Sequence, residues 1–402
     1  MLIVQKFGGS SVADAAKIER VAGIIADSYN AGNEVVVVLS AQGDTTDDLI
    51  EKAHEINPSP SKREMDVLLS VGEQISVSLM AMQFEKMRIP AVSLTGWQIG
   101  MQTNSTYGAA KIKTVSTERI RRELDKNRIV LVAGFQGVNK FDDITTLGRG
   151  GSDTTAVAIA AALGADKCQI YTDVEGVYTA DPRKVRGARK LDAITYDEML
   201  ELASLGSQVL HNRSVMMAKR YNVDLEVLSS YVRKPGTKVK EVVKKVEKMK
   251  ISGIAKDANT AMVTVAGLPD EPGVAFRIFT LMGKCKINVD IISQSTGKNG
   301  TNDISFTVAR HDADAAREAL EERQESIGFD HVEIDRDIAK VSIVGAGMMN
   351  SAGIAATMFE ALYDSRINIR MISTSEIKAS VLISEEQADR AVQAIHDKFF
   401  GE

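Results

Sequence analysis

The sequence predicts an α/β domain with a mainly parallel central sheet, followed by two small α+β modules. From Met1 to about Leu228, short runs of β-branched residues alternate with alanine-rich helical patterns. Runs of this kind, bounded by glycine and separated by helices, are typical of buried strands in a parallel sheet. In order, they are LIVQKF, EVVVVLS, AVSLTG, IVLVAGF, CQIYTD and DLEVLSS. A chain of 402 residues also exceeds what one hydrophobic core usually organises, so several domains are expected.

A segment rich in lysine and valine, residues 232–250, separates the two parts. It contains a Pro-Gly pair, which is typical of a turn, and a run of like charges, which is typical of a solvated segment. We therefore predict a linker or a peripheral ribbon here. The first domain is expected to span residues 1–246.

The remaining third contains an internal repeat. A shift of 80 residues aligns PGVAFRIFTLMGKCKINVDIISQS, which starts at Pro272, with AGIAATMFEALYDSRINIRMISTS, which starts at Ala352. Each copy has a strand before it and a strand and helix after it, which gives the order βαββα. We predict modules over residues 247–335 and 336–402, with a strand exchanged between the copies as an open alternative. Each module is too small to bury both faces of its sheet, so pairing between copies or subunits is expected.

Composition excludes several classes of function. The chain is 44% hydrophobic and 26% charged, with a net charge of -5, as in an ordinary soluble protein. It has no basic stripe for nucleic acid, and no apolar run approaches the roughly 18 residues of a membrane span. We expect a cytoplasmic protein with neither a nucleic-acid nor a membrane partner. Cys168 and Cys285 stand in apolar contexts and are predicted to be core thiols, with no disulfide or zinc site.

The stretch QKFGGSS follows the first predicted strand and has the features of an anion site. Gly8 and Gly9 expose main-chain N–H groups at the start of a helix, where the helix dipole favours a negative charge. Lys6 adds a full positive charge beside them. The two serines that follow are expected to cap a helix beginning near Ala13. The alternative is an ordinary glycine-rich turn with a surface lysine.

A second glycine turn, in TTLGRGGSDTTA, favours the anion site. Gly148, Gly150 and Gly151 precede a long apolar helix, with Arg149 in the turn and Asp153 in the first helical turn. No Walker motif GxxxxGK[ST] occurs in the sequence, so a P-loop is excluded as the source of phosphate binding. We therefore predict a phosphate site built from two glycine turns.

Several motifs of the sequence, taken together, resemble those of a known family. The motifs KFGGSSV, SAQGDTTDDL, LLSVGEQISVSLM, TTLGRGGSDTTA, YTDVEGVYTADPR and ELASLGSQVLHNRS are similar to the signature set of the aspartate kinases, in the amino-acid kinase superfamily. The duplicated tail resembles tandem ACT modules (βαββαβ, ferredoxin-like), which bind regulatory amino acids. The resemblance runs essentially end to end, and the length resembles that of the single-function class.

The resemblance implies ATP-dependent phosphorylation of the side-chain carboxylate of L-aspartate, the first step of lysine, threonine and methionine biosynthesis. A carboxylate with an ordinary pKa of about 3.9 is already ionised at pH 7, so this nucleophile needs no general base. The obstacle is to bring it against polyanionic ATP, and the site must supply positive charge and alignment. Magnesium is expected to be held by the ATP phosphates rather than by a dedicated protein site.

The same resemblance assigns residues to roles. Lys6 would neutralise the transferring phosphoryl group, and Asp153 would orient Lys6 and the magnesium-bound phosphates. Arg149 would grip the substrate α-carboxylate, and Glu73 its ammonium group. The implied catalytic residues are Lys6, Arg149 and Asp153; the substrate-binding residues are Ser40, Thr46, Glu73, Arg149, Gly150, Gly151 and Ser152; the nucleotide-binding residues are Lys6, Phe7, Gly8, Gly9, Thr172, Asp173, Tyr178, Asp181, Pro182 and Arg183.

The repeat is expected to bind an end product that inhibits the enzyme. Lysine, alone or with threonine, is the implied effector, and Asp290 and Glu376 are the plausible partners of its ammonium group. A homo-oligomer, or an α2β2 assembly with a small subunit started near Met249, is the implied quaternary state. The effector residues are Gly273, Ala275, Asn288, Asp290, Gln294, Asn368, Ile369 and Glu376.

Two other functions stay open at this stage. Another amino-acid kinase, such as a glutamate or carbamate kinase, would resemble the first half but lacks the repeat. A catalytically dead amino-acid sensor would not need Lys6, Arg149 and Asp153, which are all present. The sequence also departs from many relatives at Gln208, where they have lysine, so a nucleotide contact from that position is in doubt.

Overall fold

The computed structural model describes residues 1–206, 209–241, 251–296 and 300–401, which fall into two units. Unit 1 comprises residues 1–178, 190–204 and 209–241. Unit 2 comprises residues 179–189, 205–206, 251–296 and 300–401.

Unit 1 is an α/β domain. Its strands are β1 (Leu2–Phe7), β2 (Glu34–Leu39), β3 (Ala91–Leu94), β4 (Met101–Thr103), β5 (Ile112–Val115), β6 (Ile129–Ala133), β7 (Gln136–Val138), β8 (Ile144–Thr146), β9 (Lys167–Thr172), β10 (Ala193–Thr195), β11 (Leu225–Ser229) and β12 (Thr237–Lys240). Its helices are α1 (Ala15–Asn30), α2 (Thr45–Ile56), α3 (Lys62–Leu69), α4 (Val71–Lys86), α5 (Glu118–Leu124), α6 (Gly151–Leu163), α7 (Tyr196–Ser204) and α8 (Asn212–Tyr221).

The central sheet has the strand order β10-β12-β11-β9-β1-β2-β6-β3, and only the β11–β12 pairing is antiparallel. All six residues of β1 are buried, as expected for a parallel strand covered on both faces. Phe7, at the end of β1, is level with Leu39 of β2 and Tyr171 of β9. The chain therefore leaves these strands at one common edge, where open α/β sheets bind ligands.

A smaller sheet in unit 1 has the order β5-β4-β7-β8. Strand β8 leads directly into the second glycine turn and helix α6. The predicted linker or peripheral ribbon over residues 232–250 is wrong for residues 237–240, because these form β12, which lies between β10 and β11 within the central sheet. Residues 242–250 of this segment lie outside the described residues.

The predicted serine cap is wrong. Residues Gly9–Ser11 form a short 3₁₀ turn, and α1 begins only at Ala15. The Asp14 carboxylate caps it by accepting the Lys17 N–H at 2.9 Å. The Ser11 hydroxyl lies instead 2.8 Å from the Ser230 hydroxyl, so it ties the first glycine turn to the end of β11.

Unit 2 contains the two repeats. Its elements are β13 (Gly253–Asp257), β14 (Thr260–Pro269), α9 (Val274–Lys284), β15 (Ile292–Thr296), β16 (Thr301–Ala309), α10 (Ala313–Glu321), α11 (Gln324–Ile327), β17 (His331–Asp335), β18 (Ile338–Val344), α12 (Ile354–Asp364), β19 (Met371–Thr374), β20 (Lys378–Ser384) and α13 (Ala388–Phe400). The predicted βαββα order is found in both copies, and the predicted fold class is confirmed.

The two sheets of unit 2 are antiparallel, with strand orders β15-β16-β14-β17 and β13-β18-β20-β19. Strand β13 precedes the first copy in sequence but pairs with β18 of the second copy. The first repeat is thus inserted between β13 and the rest of the sheet to which β13 belongs.

Residues 179–189, assigned from the sequence to the first domain, pack instead in unit 2. The reason is apolar burial, since Ala180 and Val185 belong to the core cluster that contains Ile254 and Ile395. The Thr179 hydroxyl lies 2.9 Å from His396 Nε2 of α13 in the same buried region.

The predicted core location of the cysteines holds for one of them. Cys168 is buried in β9, whereas Cys285 is exposed at the end of α9. Cys285 follows the last residue of α9, Lys284, and its exposure at this helix end was not indicated by the sequence context.

Among the described residues, one helical stretch, Lys62–Lys86, is long and apolar enough to cross a membrane by length and composition. It comprises α3 and α4 and contains the buried carboxylates Asp66 and Glu73. Those carboxylates line the cleft described next.

Candidate active site

A cleft of about 740 Å³ opens at the carboxyl edge of the central sheet in unit 1. Strands β1 and β2, the start of α4 and the start of α6 surround it. The structure brings eleven of the predicted site residues together in its lining: Lys6, Gly8, Gly9, Ser40, Thr46, Glu73, Arg149, Gly150, Gly151, Ser152 and Asp153.

The cleft contains an ion pair between Lys6 and Asp153. Lys6 Nζ lies 2.6 Å from Asp153 Oδ1, and the two side chains are only 11% and 12% exposed. Lys6 comes from the end of β1 and Asp153 from the first turn of α6. An ammonium group held in this way keeps a fixed position in a poorly solvated site, where it interacts strongly with an anion.

Two glycines are required by the geometry of the turns. A Cβ at Gly9 would lie 2.5 Å from the Ala41 carbonyl oxygen. Gly150 has a φ of +67°, and a Cβ there would lie 2.3 Å from the His211 side chain. Each turn therefore depends on close approach to a neighbouring segment, and the second also needs the left-handed backbone that glycine adopts easily.

Glu73 is the most strongly perturbed carboxyl group of the cleft. Its side chain is buried, one oxygen accepts the Ala41 N–H at 3.2 Å, and the other accepts no hydrogen bond from any described residue. Burial raises the pKa of Glu73 to about 7. A carboxylate in this state has a free acceptor and gains stability from any cation placed beside it.

Arg149 is exposed at the rim of the cleft. None of the described residues forms an ion pair or hydrogen bond with its guanidinium. Its free planar donors suit a carboxylate or a phosphate ligand.

The hydroxyl residues of the predicted set have more ordinary surroundings. Ser152 is buried at the start of α6, and Thr46 lies half-buried in α2. The Ser40 carbonyl accepts the Ser76 hydroxyl at 2.7 Å, which ties the end of β2 to α4.

The residues predicted to bind nucleotide are divided between the units. Thr172, Asp173 and Tyr178 belong to unit 1, next to the carboxyl end of β9 and outside the lining of the cleft. The predicted trio Asp181, Pro182 and Arg183 belongs to unit 2, where Arg183 Nε donates to Asp181 Oδ1 at 3.0 Å.

Phe7 does not line the cleft. Its ring is fully buried and stacks on Tyr171 with 4.5 Å between centroids, so this side chain supports the sheet beneath the turn. Gln208 and Met249, also singled out from the sequence, lie outside the described residues.

The predicted effector residues of unit 2 are mostly exposed. Gly273 has a φ of +98° at the start of α9, and the strand β15, which carries Gln294, is exposed along its whole length. Asp290 accepts from Lys340 Nζ at 2.5 Å, and Lys340 is itself buried. The remaining predicted members, Asn368, Ile369 and Glu376, flank β19.

Sequence reasoning missed Asp66, which also lines the cleft. This carboxylate is 1% exposed, although it stands in the apolar run MDVLLSVGE. A lone acidic residue in such a run, seven positions before Glu73 and so on a similar helical face, was a usable signal.

No group of three or more histidine, cysteine, aspartate or glutamate side chains suited to a metal ion occurs in the part of the chain that the structure describes. Asp66 and Asp153 already have partners within the protein.

Comparison with known proteins identifies the family. The amino acid kinase family model matches residues 1–229, and an ACT domain model matches residues 262–324 and 341–399. An aspartokinase from Mycolicibacterium smegmatis is 52% identical over 403 residues, which cover 99% of this chain and 96% of that protein.

Solved structures agree with this assignment. E. coli aspartokinase III in complex with aspartate and ADP has 26% identity and a TM-score of 0.83, and the match covers 100% of both chains. The same enzyme in complex with lysine and aspartate has 26% identity and a TM-score of 0.76 over 99% of each chain. The resemblance predicted from the motifs is confirmed. The chain belongs to the aspartokinases, the members of the amino acid kinase family that use ATP to phosphorylate the side-chain carboxylate of aspartate.

Proposed function

We propose that the cleft of unit 1 is the site of phosphoryl transfer to L-aspartate, with Lys6 and Asp153 at the phosphoryl end and Glu73 and Arg149 at the aspartate end. The observation that carries this proposal is the buried Lys6–Asp153 pair, which lies between two glycine turns in the same cleft as Glu73. Positive charge for the phosphates and separate anchors for the amino acid are thereby available in one cavity.

The anchors match the two charges of the aspartate main-chain groups. Glu73 offers a buried carboxylate oxygen without a partner among the described residues, which suits the substrate ammonium group. Arg149 offers free guanidinium donors for the α-carboxylate. With both ends held, the side-chain carboxylate is presented to the phosphoryl group in its ionised form and needs no general base.

Lys6 acts on the charge of the transferring phosphoryl group. Because Asp153 holds its ammonium group in place, little reorganisation is needed when charge redistributes in the transition state. The N–H groups of Gly8, Gly9 and Gly150 are the main-chain donors available to the phosphates and to aspartate, whereas the Gly151 N–H donates to the Gly148 carbonyl at 3.0 Å. Ser40, Thr46 and Ser152 complete the polar lining.

Magnesium is the cation proposed to accompany ATP, and it supplies charge neutralisation of the phosphates. We assign it to the ATP phosphates, with Asp153 as the acidic group next to Lys6. Thr172, Asp173 and Tyr178 are the proposed nucleotide contacts of unit 1.

We further propose feedback inhibition by lysine, alone or with threonine, at the repeats of unit 2. The E. coli relative has been crystallised with lysine, and both proteins carry the same fold over their whole length. The exposed edge strand β15 and the residues around β19 would be completed by a second module, so assembly through the repeats as a homo-oligomer is part of the proposal.

An α2β2 assembly with a small subunit that starts near Met249 is the finer form of this proposal. Expression of the native gene followed by mass spectrometry of the purified protein should then show a second product that begins near this residue. Recovery of the full-length chain alone would contradict it. A cytoplasmic location is proposed on the same footing, from the soluble character of the family.

The activity itself is tested by trapping the acyl phosphate with hydroxylamine, with aspartate, glutamate or carbamate as substrate. We expect ATP-dependent product with aspartate alone. Product with another substrate would indicate a different amino-acid kinase, and no product with any of them would indicate a sensor.

A further inference from the structure

Arg149 lies between strand β8 and helix α6, next to a second loop formed by residues 108–110. The two segments are joined directly, since the Ala110 N–H donates to the Thr146 carbonyl at 2.9 Å. Any group that fixes these two segments therefore also fixes the main-chain position of Arg149.

Asp66 of α3 binds both segments through their N–H groups. Its Oδ1 accepts the Thr146 hydroxyl at 2.6 Å and its Oδ2 accepts the Thr146 N–H at 2.9 Å. The Gly108 N–H is shared between the two oxygens, at 3.0 Å from each.

These contacts leave Asp66 no capacity for a ligand. A carboxylate has about four lone-pair sites, and each oxygen of Asp66 already accepts two hydrogen bonds. The side chain is 1% exposed, and no described lysine, arginine or histidine pairs with it. A buried carboxylate satisfied only by neutral donors from two loops acts on those loops rather than on a substrate.

Arg213 of α8 binds the same two segments through their carbonyl groups. Its Nη1 donates to the Leu147 carbonyl at 2.7 Å, and its Nη2 donates to the Ala110 carbonyl at 2.6 Å. The guanidinium fork is rigid, so the two bonds fix the separation of the segments as well as their position.

We propose that Asp66 and Arg213 are positioning residues that place Arg149 for binding of the aspartate α-carboxylate. This inference rests on the proposed role of Arg149. Asp66 accepts hydrogen bonds from N–H groups of the two segments, and Arg213 donates hydrogen bonds to their carbonyl groups. These polar main-chain groups beside the cleft are therefore hydrogen-bonded in one arrangement of the two segments. Specificity for the substrate then depends on two residues that do not touch it.

The test is steady-state kinetics on the full-length enzyme with Asp66→Asn and Arg213→Lys. An amide in place of the carboxylate presents an N–H group to the loop donors, and an ammonium cannot reach both carbonyls as a fork does. We expect the KM for aspartate to rise by roughly tenfold or more, the loss typical of a charge-assisted hydrogen bond, while kcat and the KM for ATP change much less.

A milder pair of variants keeps the proposal testable if Asp66→Asn fails to fold. Thr146→Val removes only the hydroxyl that donates to Asp66, and Thr146→Ser retains it. We expect a higher KM for aspartate with valine and restoration with serine. Glu123→Gln is the matched control, because Glu123 is a buried carboxylate of unit 1 that pairs with Arg119, Lys126 and Arg128 and does not line the cleft.

The double variant Asp66→Asn/Arg149→Ala separates the possible failures. If Asp66 acts through Arg149, the second substitution adds little to the KM of Arg149→Ala alone. Full multiplication of the two effects, or an unchanged KM in folded Asp66→Asn and Thr146→Val, would overturn this inference and leave the proposed function intact. An unchanged KM in Arg149→Ala would overturn the role of Arg149 itself.

Discussion

The cleft of unit 1 and the predicted effector residues of unit 2 differ in how far a single chain completes them. In the cleft, Lys6, Asp153 and Glu73 are buried and held in place by residues of the same unit. The effector residues are mostly exposed, with Gly273 and Ala275 at the start of α9 and Gln294 on the exposed edge strand β15. An edge strand has unpaired main-chain groups on one side, so it is a natural place for another chain to add.

This difference indicates where each function is encoded. Phosphoryl transfer needs fixed charges, which require burial and neighbours within one fold. Regulation needs groups whose environment changes, and exposed groups at the edge of a sheet can gain partners when an effector or another module binds. Asp290 illustrates the second case, since its present partner Lys340 would compete with the ammonium group of an effector.

The largest effect is expected from removing the fixed positive charge of Lys6 from the cleft. Lys6→Ala should lower kcat by roughly a hundredfold or more, as removal of one preorganised donor does elsewhere. Arg149→Ala should instead raise mainly the KM for aspartate, because it acts on a substrate group that does not react. Steady-state kinetics, with Lys17→Ala as a control at a lysine outside the cleft, separates the two. The same kinetic change in both variants would contradict the division of the cleft into a phosphoryl end and an aspartate end.

An intermediate effect is expected from substitutions among the exposed effector residues of unit 2. Gln294→Ala and Asp290→Asn should raise the lysine concentration for half inhibition by about tenfold, within the usual range of coupling between sites, and leave uninhibited kcat near normal. Ser295→Ala is the control, since adjacent residues of β15 point to opposite faces. Wild-type activity that does not respond to millimolar lysine and threonine, alone and together, would remove the effector role of these residues.

An effect of similar size concerns the protonation of Glu73. With a pKa of about 7 in the free enzyme, the carboxylate that receives the substrate ammonium group is mostly neutral at pH 6 and mostly ionised at pH 8. The kcat/KM for aspartate should therefore rise by about tenfold between these values, because kcat/KM reports the free enzyme. Glu73→Gln should abolish this pH dependence of kcat/KM and raise the KM for aspartate.

Stability provides an independent check on Glu73. A folded-state pKa above the ordinary value of 4.5 means that the folded protein holds the proton more tightly than the unfolded chain. The contribution of the protonated Glu73 side chain to folding stability is complete at a pH below the ordinary pKa of 4.5, and it is lost as the pH rises through 7. Thermal unfolding should thus show Glu73→Gln gaining stability over the wild type at pH 8 and losing this advantage near pH 5. A stability difference between the two proteins that does not change with pH would mean that burial does not raise the pKa of Glu73.

The sequence by itself determined the sheet, the repeat and most of the cleft. Strand runs such as EVVVVLS are visible because strands buried on both faces are mostly apolar, and the repeat is visible because the same local pattern recurs. Lys6, Gly9 and Gly150 were predicted because two glycine turns, each with a charged residue, stand before helical patterns in the same sequence. These features depend on neighbours in the chain, so a local pattern reports them.

Only the tertiary structure decided the features that depend on distant neighbours. Asp66 meets Thr146 across 80 positions, and Glu73 meets Ala41 across 32, so neither the loop contacts of Asp66 nor the raised pKa of Glu73 can be read from the residues around them. The packing of residues 179–189 in unit 2 follows in the same way from the apolar side chains of Ala180 and Val185. Burial and desolvation are set by the whole fold, and for that reason they are the properties that a linear pattern leaves undetermined.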